Sequence, residues 1–417
     1  MSHALRAFSV RLAMTRRTAV LVWAAGMLAC LPLVAWAAPF VPANDAEVVE
    51  TLPARLDPAA RAARDAWRRQ PEALPLALQA ARTAISRARR DGDPRELGQA
   101  QAALAPWWAL PSPPPAVRLL RATVRQSQHD FESALADLDA LLADAGVPAA
   151  VLAQAGLTRA SVLRVQGRYG EAAAACADLA TPRLAVLGPV LRWSAQVCEA
   201  DVMTLGPAAP AGHARLAELA RQAQSERALV PLRGWIALVQ AEAADRRGDP
   251  AARGHFLAAL QDDADVYTLA AYADWLLQHE RAAEVEPLLA GRAEADALLL
   301  RQAIAWRRLG DGRATAAAAR LQARFDAAHQ RGDRLHEREE AMFAWQVRGD
   351  AAAALPLARA NWDKQREPAD ARLLWHTALA AGDRDAAELV RRFQQQTGLR
   401  DVRLADPTQP TRVARRP

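Results

Sequence analysis

The run His336-Glu337-Arg338-Glu339-Glu340 stands one residue away from a zinc-protease pattern. That pattern puts two histidines four apart on one helix face to hold the metal, with a glutamate between them as general base. Here the fifth position is Glu340, so a single ligand remains. His329, seven residues earlier, can share the face of His336, but Gly332 and Asp333 between them read as a helix start. Two ligands fall short of the three or four that zinc takes from protein. Lys364 sits in "NWDKQREP" without the glycine-rich loop that would bring a lysine to phosphates. "GDGRAT" at Gly310 has two of the three glycines of a dinucleotide motif but follows no strand pattern, and no Gly-x-Ser-x-Gly elbow occurs. Asp and Glu are spread along the whole chain, so no pair stands out as acid and base. The sequence predicts no catalytic residue, no metal and no cofactor, and hence no enzyme.

The elements that carry these residues are predicted to be helices. Ala, Leu and Arg dominate and head the helix-propensity scale, while aromatic residues are 5% of the 417. Arg6, Arg11, Arg16 and Arg17 precede an apolar run that closes on Ala35-Trp36-Ala37, the form of a secretory signal peptide over residues 1–38. The run is also long enough for an uncleaved membrane anchor. Cleavage near Ala37 or Ala38 places the mature protein in the periplasm or outside the cell. Without residues 1–38 the formal charge falls from +6 to +2. The remaining arginines alternate with acids along helices, which excludes a basic stripe for nucleic acid. Cys176 and Cys198 remain, and two readings stay open: a disulfide, which an oxidising compartment permits, or two small buried thiols.

A turn recurs at Gly92, His129, Gly167, Gly206, Gly248, His279, Gly310, Gly349 and Gly382, with gaps of 31 to 42 residues. Ala stands five residues after it as Ala134, Ala172, Ala211, Ala354 and Ala387; Trp stands four before it as Trp275, Trp306 and Trp345. Small against large is how paired helices interdigitate. In "QGRYGEAAAAC", Gly167 ends one helix, Tyr169 packs across the turn and Ala172 lets the next helix approach.

Ala160, Leu163, Gly167, Tyr169, Ala172 and Cys176 together make the chain resemble the tetratricopeptide repeat family, with weaker matches at Phe131 and Ala134 and at Gly382 and Ala387. The resemblance implies an all-α fold, a right-handed α-solenoid of about eight or nine degenerate helix-turn-helix units over residues 57–398. "PSPPPAV" sets off a cap at 57–110 by a link at 111–116, or is a loop inside the array. Residues 39–56 read as an extended arm and 399–417 as a disordered tail.

The resemblance also implies a concave groove lined by the first helix of each unit. Its positions fall on Gln126, Ser161, Arg164, Glu242, Arg307, Arg308, Glu339, Arg372 and His376. Arginine recognises carboxylates through two parallel hydrogen bonds, so the expected ligand is an acidic or C-terminal peptide of a partner protein in the cell envelope. The function expected is a non-enzymatic interaction scaffold. A cell-wall or polysaccharide enzyme on the same scaffold would need paired carboxylates facing one groove, and a structural partner anchored at its N-terminus would keep residues 1–38.

Overall fold

A computed structural model describes residues 44, 46 and 58–405, apart from 263, 293, 331 and 333–336. The signal segment, most of the arm at 39–56, His336 and residues 406–417 lie outside the described residues. The described residues from 58 onward form one unit.

The recurrent Gly-Asp turn has a simple local cause. Gly382 adopts φ +70° and closes one helix by donating its backbone N–H to Ala378 O and Leu379 O. Asp383, the next residue, accepts the backbone N–H of Ala386 and opens the following helix. Asp350 does the same for Ala353. One dipeptide thus satisfies orphan groups at two helix ends, and each such cap is worth about 1 kcal/mol. At two turns the left-handed residue is not glycine: His129 and Glu280 both sit at φ 59°. L-residues pay roughly 1–2 kcal/mol there, which the packing around those turns must offset.

Nine helical hairpins follow one another among the described residues. Hairpin 1 is Leu74–Asp91 with Arg95–Ala103, hairpin 2 Pro115–Ser127 with Phe131–Ala143, and hairpin 3 Ala149–Val165 with Tyr169–Ala177. Hairpin 4 is Pro189–Met203 with Ala209–Ser225, hairpin 5 Arg233–Arg246 with Ala252–Asp262, and hairpin 6 Val266–Gln278 with Val285–Leu289. Hairpin 7 is Asp296–Arg308 with Arg313–Gln330, hairpin 8 Glu337–Met342 with Ala351–Lys364, and hairpin 9 Pro368–Ala381 with Arg384–Thr397. Every turn landmark of the sequence falls inside a hairpin, and Pro58–Arg69 packs on hairpin 1. The fold is all-α among the described residues, an α-solenoid of helical hairpins.

The expected repeat-core residues are mostly buried: Ala134, Ala172 and Ala354 are fully covered, and Phe131, Ala160, Tyr169, Trp275 and Ala387 nearly so. Trp306 and Trp345 are half-buried, so they are not plain core. Hairpin 8 carries a π-type turn, Phe343–Val347, which turns Trp345 out of the regular helical register. Cys176 and Cys198 are joined in a disulfide between hairpins 3 and 4, with Cα atoms 5.7 Å apart.

Two boundaries move. Helix begins at Pro115, so Pro115 and Ala116 of the expected link are its first turn, and Leu104, Val117 and Leu120 share one apolar cluster across "PSPPP". The packed chain also runs past 398: Leu399 and Leu404 are buried, because Asp401 and Arg403 are drawn into ion pairs described below. Residues 399–404 are therefore not tail.

The array winds until its ends meet its middle. Arg366 donates its backbone N–H to Val165 O at 2.7 Å, Tyr169 donates its hydroxyl to Arg366 O at 3.4 Å, and Tyr169 meets Phe393 edge-on at 5.9 Å. Further along, Pro207 lies against Gly398, and Gly92 against Val266 and Ala295. The separations of 197 residues for the Tyr169 bond and 236 for Gln365 to His129 show how much chain one superhelical turn consumes. So tight a winding leaves a narrow interior.

Candidate functional site

That interior holds a cavity of about 490 Å³, within the range of small-ligand pockets. Its wall comes largely from the first helices of the hairpins: Arg89 of hairpin 1, Arg164 of 3, Glu242, Asp245 and Arg246 of 5, Tyr267, Asp274 and Trp275 of 6, Arg301 and Arg308 of 7, Arg338, Glu339 and Trp345 of 8, and Arg372 and His376 of 9. Glu367 and Arg403 complete the polar part.

Eight arginines face five carboxylates across this wall. Most are matched in pairs. Arg301 holds Asp274 through two parallel bonds of 2.9 and 2.7 Å. Arg338 grips Asp370 the same way at 2.6 and 2.8 Å and reaches Glu367 at 2.8 Å. Arg372 and Arg403 share Asp245, at 3.1 and 2.6 Å, and both reach Asp401. Burial opposes the Asp245 charge, but Arg372 and Arg403 outweigh it and hold its carboxyl below the usual range. Asp201, Asp370 and Asp401, one row behind the wall, bring the charges level.

Three arginines depart from this matching. Arg89 is exposed and has no hydrogen bond or ion pair among the described residues. Arg308 gives its protons to Leu277 O and Gln346 Oε1 and to no carboxylate. Arg246 is 5% exposed and gives one N–H to Thr204 Oγ1 at 2.8 Å. Burial lowers the pKa of Arg246 against the pull of Glu242, Asp201 and Asp401. Glu242 accepts the Tyr267 hydroxyl at 2.7 Å. Burial raises its pKa, although Arg164 and the Tyr267 bond oppose the rise. The apolar part of the wall is aromatic: Trp345 stacks on His376 at 5.8 Å, and Trp275 on His279 at 4.2 Å.

Of the nine expected groove residues, the fold brings Arg164, Glu242, Arg308, Glu339, Arg372 and His376 to this one cavity. The other three lie elsewhere. Gln126 and Ser161 are bonded to each other at 3.4 Å, and Arg307 is exposed with its guanidinium against Gly349. Arg308 and Arg307 are successive on a helix and point about 100° apart, so only one of them can face inward. Sequence reasoning missed Arg246, Arg301, Tyr267, Asp274 and Arg338. Two of them had a signal, since Arg246 stands four residues after Glu242 and Arg301 seven before Arg308, on the same helix faces. No group of three or more potential ligands suited to a metal occurs among the described residues.

No family model matches the chain, and no curated protein does. Among solved structures it is similar to the crystal structure of the APC/C hetero-tetramer Cut9-Hcn1, with 13% identity over 81% of this chain and 76% of that one and a TM-score of 0.26. A likeness at that level adds nothing to the site. The repeat architecture rests on the hairpins themselves.

Proposed function

We propose that the protein is a non-enzymatic binding scaffold of the cell envelope, exported by residues 1–38, which holds an acidic or C-terminal segment of a partner protein in its interior cavity. The observation that carries this reading is the convergence of six groove positions from five hairpins on one cavity whose wall is rich in arginine. Arg89 and Arg308 make no ion pair among the described residues and add positive charge at the wall. Arginine forks suit carboxylates in two parallel bonds, and the aromatic faces of Trp275 and Trp345 offer contact for flanking side chains.

The test is cross-linking mass spectrometry of residues 39–417 in envelope extract, beside a variant with Arg89→Glu and Arg308→Glu. Neither substitution breaks an ion pair, and circular dichroism checks that the array stays folded. A partner cross-linked near the cavity and lost in the variant supports the reading. Cross-links confined to the outer helices, or indifferent to the variant, overturn it.

One observation favours a second reading, a cell-wall or polysaccharide hydrolase: five carboxylates do face one cavity. Asp245, Asp274, Glu339 and Glu367 are each held by guanidinium groups, which leaves Glu242 as the acid free to exchange a proton. Hydrolysis of peptidoglycan by the wild type that is lost in Glu242→Gln would establish it.

A further inference from the structure

We infer that Arg246 and Arg164 form an oxyanion subsite in the cavity, which takes a carboxylate or phosphate group of the ligand beside the carboxyl of Glu242 and the hydroxyl of Tyr267. The inference rests on the binding reading above and names the anchor within it.

Arg246 is the exception among the buried guanidiniums of the wall. Arg301, Arg338 and Arg372 each reach a carboxylate within 3.1 Å, whereas Arg246 has none within ion-pair distance among the described residues. A guanidinium carries five N–H donors, and Arg246 commits one, to Thr204. Burying a charge without a counter-ion is unfavourable, and buried charges in proteins are normally paired or bind a ligand. Arg164, from hairpin 3, is also underused. Its contacts with Asp201 and Glu367 are both 3.5 Å, longer than charge-assisted hydrogen bonds, which run near 2.7–2.9 Å.

The natural internal partner for both is Glu242, one helical turn before Arg246, yet its carboxyl is turned to Tyr267. Burial favours the protonated acid at Glu242. Turned to the Tyr267 hydroxyl, the Glu242 carboxyl makes no ion pair with either arginine among the described residues and leaves their donors open. The other ionisable groups acting on the recess are Asp201 of hairpin 4, Asp401 of the C-terminal segment, Tyr169 of hairpin 3 and Glu367 ahead of hairpin 9. Glu367 is engaged by Arg338, and Asp401 by Arg372 and Arg403, so each acts on the recess from a distance and makes no ion pair with Arg246. Arg246 and Arg164 both line the cavity and both act on Glu242, and guanidinium forks suit planar carboxylate and tetrahedral phosphate alike.

Isothermal titration of the whole chain with glutarate and with inorganic phosphate, each against sodium chloride at equal ionic strength and pH 7, tests the assignment. Binding of either probe is expected, with phosphate alone or glutarate alone identifying the source of the oxyanion. Arg246→Gln is expected to weaken it tenfold or more, while Arg307→Gln, which lies outside the cavity, changes it less than twofold. Glu242→Gln, which keeps a donor, is expected to bind at least as tightly as wild type. The subsite is overturned if neither probe exceeds chloride, if Arg246→Gln binds normally, or if Glu242→Gln binds tenfold more weakly. Circular dichroism checks the fold, and if Arg246→Gln is unfolded, Arg164→Gln takes its place with the same two outcomes. Loss of the subsite with partner capture intact leaves the scaffold reading standing. Probe binding lost in Arg246→Gln without any captured partner leaves the subsite and removes the scaffold.

Discussion

Asp370 has no accessible side-chain surface and is where Arg338, Asn361 and the backbone N–H of Glu367 all converge, at 2.6 to 2.9 Å. Its replacement by Ala would leave Arg338 buried with Glu367 alone. Removing one partner of a buried pair costs about 3–5 kcal/mol, and urea unfolding of Asp370→Ala should show a loss of that order. Two titrating groups act in opposite directions. Burial, helped by Arg247 and Arg246, lowers His213 from 6.5 to about 4. The folded protein therefore binds fewer protons than the unfolded chain, and stability present above pH 6.5 is lost as pH falls toward 4; His213→Gln should flatten that acid limb in melts taken across the range. Glu242 is raised, so its folded form prefers the proton, and the stability it contributes is lost as pH rises past its folded pKa. Glu242→Gln should then raise the melting temperature at pH 8 relative to wild type and not at pH 4.

Helical elements are set by their ends more than by their middles. Gly382 and Gly167 occupy the same backbone region, at φ +70° and +75°, but their surroundings differ. A Cβ at Gly382 meets nothing within 4 Å, whereas one at Gly167 would lie 2.6 Å from Phe393 and 3.1 Å from Arg366. Gly382→Ala should cost roughly 1–2 kcal/mol for the left-handed backbone alone, and Gly167→Ala clearly more, because hairpin 9 must also move. Comparison of the two by chemical denaturation separates turn strain from closure of the array. The disulfide clamps hairpins 3 and 4 across 22 residues. Chain entropy sets its contribution near 3 kcal/mol, to be read as the drop in unfolding free energy on adding reductant.

In the whole molecule, stability and site depend on the same closure. Phe393 is 6% exposed and sits between Tyr169 and Trp362, with ring centres 5.9 and 5.1 Å away. Phe393→Ala should destabilise by about 3–5 kcal/mol. Because the contact spans hairpins 3, 8 and 9, hydrogen exchange should accelerate at residues 165–177 as well as at 362–393. An open solenoid, whose units touch only their neighbours, would confine the change to the last two hairpins.

By itself the sequence determined the class of structure. Alanine-rich helices, Gly-Asp turns and the Ala-and-Trp spacing are local instructions, and local geometry reads them directly, so each turn landmark lies inside a hairpin. Arg164, Glu242, Arg308, Glu339, Arg372 and His376 were legible as inward positions because distance from a turn fixes the face of a helix. Arg307 was not, since one residue of error rotates a side chain by about 100°. Only the tertiary structure decided which charges cancel. Arg246 and Arg338 both lie on first helices of hairpins, yet Arg338 meets two carboxylates and Arg246 none, and their partners come from other segments tens of residues away. Pairing over such separations depends on the pitch of the superhelix, a sum of small rotations at every hairpin interface that no local pattern records.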